Sequence, residues 1–247
     1  MQLANLAWYD FDELRSATDR FWSELAAALV RRGMSDVPLT LERNISYREQ
    51  WRSPRFLFGQ ACGLDLFMPT SAALIRPLAA PVYEFPGCDN GGYRSFVVVA
   101  ADSQYTSVDQ LRGHRCGVNG PESHSGMNAM SQVLSEYGGP RDFFSRVLLS
   151  GSHEGSLAGI AAGEFEVAAI DCISFAHLKR RPAFANKFRI IARSASVLAP
   201  PVRYLCVHNT NRCASIASRL ARGRITGAPC AWSECSADSD TSGIRPN

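Results

Sequence analysis

Three short stretches carry hydroxyls, imidazoles and a carboxylate at matched positions, each directly after an apolar run. Gly120-Pro121-Glu122-Ser123-His124-Ser125-Gly126 follows Cys116–Asn119, Ser150-Gly151-Ser152-His153-Glu154-Gly155-Ser156 follows Val147–Leu149, and Asp171 follows Val167–Ile170. Each apolar run reads as a strand, and the first two polar stretches open helical patterns. Ligands of open α/β sheets bind beyond the carboxyl ends of strands, where helix starts offer free N–H groups. Ser123 and Ser125 are natural helix caps, and Gly126 lets backbone approach a ligand closely. Hydroxyl and N–H donors at two helix starts suit a tetrahedral oxyanion, which they satisfy without full neutralisation by Lys or Arg. Asp171 beside them would accept from a P–OH or pair with an amine. Plain capping, loop histidines and a turn aspartate account for the same residues with no ligand.

Ser125, His153 and Asp171 could also be assembled into a hydrolase triad. The nucleophile elbow that such an enzyme uses is absent, because Ser123 stands where the Gly-x-Ser-x-Gly pattern needs its first glycine.

The elements that must hold these groups alternate. Leu3–Tyr9 reads as a strand closed by Asp10, and 11–32 as a helix with Phe21, Leu25, Ala28 and Leu29 on one face and Gly33 at its stop. Phe56–Phe58 is a second strand leading into Gly59-Gln60-Ala61-Cys62-Gly63. Leu74–Tyr83 is an apolar segment interrupted by Pro77 and Pro81, and 87–92 is a turn-rich connector. Ser95–Ala100 has the β-branched run of a strand covered on both faces. Met127, Met130, Val133, Leu134 and Tyr137 share one helical face, and Leu157, Ile160 and Ala161 another. Phe188–Arg193 closes the series and 199–202 crosses back. Strand–helix alternation predicts an α/β fold of two lobes, each a mostly parallel sheet flanked by helices. Lobe 1 would comprise 1–93 plus 196–247, with lobe 2, 94–195, inserted into it.

At 247 residues the chain corresponds to about 1.6 typical domains. With 46% hydrophobic residues it can bury a core, so general disorder is excluded. Twenty-six Lys and Arg against 23 Asp and Glu leave only +3, too little for a polyanion-coating protein. The basic group Lys179-Arg180-Arg181 with Lys187 and Arg189 reads as a solvated helix end, so no nucleic-acid partner is expected. The eight cysteines, at 62, 88, 116, 172, 206, 213, 230 and 235, contain no Cys-x-x-Cys pair and no finger-spaced His; they read as buried thiols, with no metal and no cofactor expected. No apolar run reaches the roughly 18 to 20 residues of a membrane span. No basic-then-apolar leader opens the sequence, which predicts a cytoplasmic protein if the chain is complete.

The ordered set Trp51, Pro54, Phe56–Gly63, Tyr93-Arg94-Ser95, Leu111-Arg112-Gly113, Asn119, Ser123–Asn128, Gly151-Ser152-His153, Ser156 and Ala168–Asp171 resembles the substrate-binding proteins of phosphate, phosphite and phosphonate ABC transporters, which have the type II periplasmic binding protein fold. The resemblance spans about residues 3–202. It implies a non-catalytic solute-binding protein whose lobes close over a small phosphorus oxyanion, a periplasmic location, and an ABC transporter permease as partner. Carried over by position, it implies that Ser123, His124 and Ser125 hold the oxyanion and His153 contacts it from the next helix start. Asp171 would bind a ligand hydroxyl or amine, Tyr93 would line the cleft near the hinge, and Tyr9 and Gln60 would form the opposite wall. The enzymes of thiamine pyrimidine-precursor synthesis share the fold, but neither a cofactor-holding Lys nor a metal-ligating His cluster is evident.

The resemblance fades after Val202. Tyr204–Cys206 reads as a strand and Ala214–Arg222 as a short helix, whereas Thr226–Asn247 lacks apolar periodicity. Cys206, Cys213, Cys230 and Cys235 crowd into this part of the chain, where Arg and Ser become common, the composition expected of a frameshifted or truncated end.

Overall fold

The computed structural model describes residues 2–62, 75–205 and 230–234. Its strands form two five-stranded sheets joined by a two-stranded ribbon. In the first sheet the order is β1 (Leu3–Ala4), β2 (Phe56–Gln60), β11 (Val202–Leu205), β3 (Ile75–Tyr83) and β12 (Cys230–Glu234). In the second it is β7 (Arg146–Leu149), β6 (Arg115–Val118), β8 (Val167–Asp171), β5 (Ser95–Ala100) and β9 (Phe188–Arg193). β1 and β2 are parallel, as are β7, β6 and β8; β11 runs against β2 and β3, β12 against β3, and β5 against β8 and β9. Most strands of each sheet therefore point one way, with β11 and β12 reversed in the first and β5 reversed in the second.

The second sheet shows why its strands form. Val97, Val99, Val167 and Ala169 pack on one face with Leu111, Met130, Leu134 and Phe143, while Phe96, Val98, Ala168 and Ile170 pack on the other with Leu157, Ile160, Phe165 and Ile173. The period-two alternation places both sets in a core, so the strand must be apolar throughout. Helices α3 (Ala129–Ser135), α4 (His153–Ala161) and α5 (Cys172–Leu178) cover these faces. In the first sheet, α1 (Arg15–Val30) buries Phe21, Trp22, Leu25, Ala26 and Leu29 against Phe58, Leu78 and Val202. Trp22 and Ala26 replace the expected Ala28 on that face, and the Trp22 indole donates to the Pro38 carbonyl at 3.0 Å.

Other expectations are corrected. The first strand stops at Ala4, and Trp8 and Tyr9 form a turn. Tyr9 has a φ of 65°, a left-handed backbone that no strand can contain. Pro77 and Pro81 do not interrupt β3, whose residues 75–79 pair with β11 and 79–83 with β12. Each half has a single neighbour, so a proline is tolerated where its missing N–H would point away from it. A strand occupies 230–234, where no regular pattern is expected, because the edge of β3 supplies its hydrogen bonds. Among the described cysteines, Cys116 and Cys172 are buried, but Cys62 and Cys88 are only half buried. The helix expected over 214–222 and the cysteines at 206, 213 and 235 lie outside the described residues.

Two segments carry the chain between the sheets, 84–94 outward and 194–201 back. They meet in the ribbon, where β4 (Gly92–Tyr93) pairs with β10 (Val197–Leu198), Tyr93 opposite Val197.

Candidate functional site

A cavity of about 730 Å³ lies between the two sheets, lined on one side by Trp8, Tyr9, Tyr47 and Arg48 and on the other by Asn119, Ser123, Ser125, Ser152, His153 and Asp171. Three helix starts supply the second wall. Ser123 caps a widened turn, His124–Asn128, accepting from the Gly126 N–H at 3.0 Å, and α3 continues from it. Ser152 caps α4, accepting from the Gly155 N–H at 2.9 Å; a β-carbon on Gly155 would meet the Ser150 carbonyl, so only glycine fits there. Asp171 caps α5, its Oδ1 accepting from the Ile173 and Ser174 N–H groups at 3.0 and 2.8 Å.

Ser125 does not cap. Its hydroxyl lies 2.8 Å from His153 Nε2 and 3.5 Å from the Ser123 hydroxyl, and Tyr93 lines the same cavity. The extra residue in the widened turn is what aims it there, as such turns do at functional sites. The same Nε2 stands 3.2 Å from Asp171 Oδ2, with both side chains almost fully buried. A carboxylate only accepts, so the proton sits on Nε2, directed at Asp171 and Ser125 together. Ser125 then accepts from the imidazole, which leaves its own O–H to donate, to the Ser123 hydroxyl 3.5 Å away or into the cavity. Burial holds the His153 pKa below the usual imidazole range although Asp171 opposes this. His153 Nδ1 is buried with no partner among the described residues.

This arrangement excludes the triad reading. A serine hydrolase needs its carboxylate on one ring nitrogen and its serine on the other, so that the proton taken from serine has a free nitrogen to occupy. Here both groups address Nε2 and nothing among the described residues orients the ring through Nδ1.

The structure brings Tyr9, Tyr93, Ser123, Ser125, His153 and Asp171 to one cavity. Tyr9 packs edge-on against Tyr83 at 5.3 Å, and burial, with Asp171 nearby, raises its pKa well above the usual phenol value; burial does the same for Tyr93. Two of the expected residues fall elsewhere. Gln60 is buried, donates to the Tyr83 hydroxyl at 3.3 Å, and lines an adjoining apolar cavity of about 110 Å³, which shares Trp8 and Tyr9 with the first, together with Leu6, Phe21, Phe85 and His177. It closes β2, whose residues are buried at every position, so its amide is spent inside the lobe. His124 is half buried at the start of the widened turn and does not line the cavity; burial lowers its pKa.

The ion pairs at and beside the cavity are not foreseen from sequence. Arg48, on α2 (Tyr47–Arg52), pairs with Glu122 of the second wall, and Arg181 pairs with both Glu13 at 2.9 Å and Glu154 at 2.7 Å. Arg181 is therefore more than a solvated helix end, because it ties the turn before α1 to the start of α4. The Ser46–Glu49 capping box that opens α2 is a readable helix signal. The pairing of its Arg48 with Glu122, on the opposite wall of the cavity, has no local signature.

The fold has solved relatives. At 15% identity, a binding protein component of an ABC phosphonate transporter from Pseudomonas aeruginosa superimposes with a TM-score of 0.68, over 88% of this chain and 72% of that one. PhnD1 from Prochlorococcus marinus, in complex with methylphosphonate, gives 0.66 at 16% identity over 90% and 83%. XAC2383 from Xanthomonas citri, bound to ATP, gives 0.61 at 18% over 90% and 82%. Such distant likeness establishes the two-lobed type II fold. No curated protein sequence matches the chain. Residues 12–222 match the family model of the ABC transporter phosphonate periplasmic substrate-binding protein, and the chain belongs to that family of non-catalytic binding proteins.

Proposed function

We propose that this protein captures a small phosphorus oxyanion, a phosphonate first and phosphite or phosphate as its nearest analogues, between a lobe of residues 1–93 with 196–247 and a lobe of residues 94–195, and delivers it to an ABC transporter permease in the periplasm. The observation that carries the reading is the Ser125 hydroxyl, 2.8 Å from His153 Nε2 at the mouth of three helix starts; with the proton on Nε2 it accepts there and has its own O–H to donate to a ligand. Ser123 and Tyr93 stand beside it as further hydroxyls, and Asp171 offers the acceptor that a P–OH or an aminoalkyl group needs. Tyr9 closes the opposite wall. Gln60 and His124 support the site from behind it without touching the ligand. The methylphosphonate bound by the Prochlorococcus relative supports placing phosphonates first.

Calorimetric titration with phosphate, phosphite, methylphosphonate and aminoethylphosphonate tests this. At least one should bind with micromolar or tighter affinity; heats that are flat for all four would sink the oxyanion reading.

A further inference from the structure

Two thiols distant in sequence meet at the crossing between the lobes. Cys88 Sγ and Cys172 Sγ are 3.5 Å apart across a sequence separation of 84 residues. Cys88 lies on the outward crossing segment; Cys172 is the first residue of α5, next to Asp171 of the cavity wall. The segment is braced by its own Arg94 and tied to the inserted lobe at Cys172. The Arg94 guanidinium donates to the Gly87 carbonyl at 3.3 Å and pairs with Asp89 at 2.7 Å, and the Cys172 N–H donates to the Arg94 carbonyl at 2.9 Å. Gly87 sits at φ +100°, and a β-carbon there would stand 2.8 Å from Cys172 Cβ. Main chain and thiol are thus as close as packing permits. One sulfur is reachable and the other is not: Cys88 is half buried and Cys172 fully buried.

We propose that Cys88 and Cys172 are a dithiol site, oxidised by small disulfides to an intramolecular disulfide that pins crossing segment 84–91 to the start of α5. The reachable Cys88 sulfur attacks one sulfur of the external disulfide, which releases one thiolate. Cys172 then attacks the mixed disulfide at Cys88 and expels the second thiolate, to which its proton passes. The protein loses two hydrogens and the external disulfide becomes two thiols. Exposure assigns the order, because half-buried Cys88 is reachable and buried Cys172 is not; with the Cys172 S–H as donor, the hydrogen bond between them also lowers the Cys88 pKa and raises that of Cys172. The sulfurs start 3.5 Å apart. Closure brings them to the roughly 2 Å of a disulfide bond, a side-chain movement at half-buried Cys88.

The bond would cross-link a large loop of the unfolded chain and restrain one of the two segments about which the lobes move. The test uses the full chain, reduced with excess dithiothreitol or equilibrated with oxidised glutathione. Peptide mapping of the oxidised protein should yield one fragment joining Cys88 to Cys172, two hydrogens lighter than its parts. The melting temperature should rise by roughly 5 to 15 °C over the reduced form. Cys88→Ser should abolish both changes, as should Cys172→Ala. Cys116, whose thiol burial pushes up to about 12, serves as the internal control and should react only after unfolding. Cys88 and Cys172 both remaining free to alkylate after oxidation and unfolding, or each linked to a different cysteine, would overturn the proposal. Neither outcome depends on which ligand the cavity takes.

Discussion

His153 Nε2 serves two partners at once, the Ser125 hydroxyl at 2.8 Å and Asp171 Oδ2 at 3.2 Å. The carboxylate fixes the proton on that nitrogen, the nitrogen fixes Ser125 as an acceptor, and Ser125 is left as a donor toward the cavity. An arrangement that disables a relay therefore prepares a binding hydroxyl.

Ser125→Ala removes that donor while leaving the Ser123 cap intact. Affinity for the oxyanion that binds best should fall by roughly 1 to 3 kcal/mol, a factor of about 5 to 150, with an unchanged circular dichroism spectrum. Undiminished affinity by calorimetry would place the ligand elsewhere in the cavity.

Asp171 has two roles that substitution can separate. Asn also caps helices, so Asp171→Asn should lower the melting temperature little while changing ligand preference, most strongly against aminoethylphosphonate. Asp171→Ala should in addition cost about 1 kcal/mol of stability through loss of the α5 cap. Equal thermal losses for the two variants would refute the separation.

Burial lowers the pKa values of His124, His153 and His177 in the folded protein. Below about pH 6.5 the unfolded chain takes up protons that these folded imidazoles refuse, so stability rises with pH through this window and falls on acidification. Thermal melts should be nearly flat above about pH 7.5 and decline from about pH 6.5 to about pH 5. A melting temperature constant over that range would show the three rings to be freely protonated in the fold.

Two partly exposed ion pairs, Arg48 with Glu122 on the cavity lining and Arg181 with Glu13 outside it, join elements packed on different sheets. Each is worth at most about 1 kcal/mol, so Glu122→Gln should barely move the melting temperature. If the pairs hold the lobes together, that variant should release ligand up to about five-fold faster at low salt, and the difference should shrink at about 0.5 M salt. Identical dissociation rates in stopped-flow measurements at both salt concentrations would assign these pairs no part in closure.

Much of the fold was legible in the sequence, because the signals that specify it are local. The valine run of 95–100 demands a strand covered on both faces, and small capping residues before Met127 and Leu157 announce helix starts at strand ends. That Ser123, Ser125, His153 and Asp171 meet follows from the parallel order β7–β6–β8, which aligns those strand ends on one edge. The sequence by itself therefore determined the elements, their alternation and the edge that carries the polar groups. Tertiary structure alone decided that the turn at 124–128 widens and frees Ser125 from capping, and that His153 presents one nitrogen to two partners. It also decided that Gln60 faces a different cavity and that Cys88 meets Cys172. These outcomes depend on contacts between residues far apart in the chain, made at ångström precision by packing, and no local pattern of residue types encodes them.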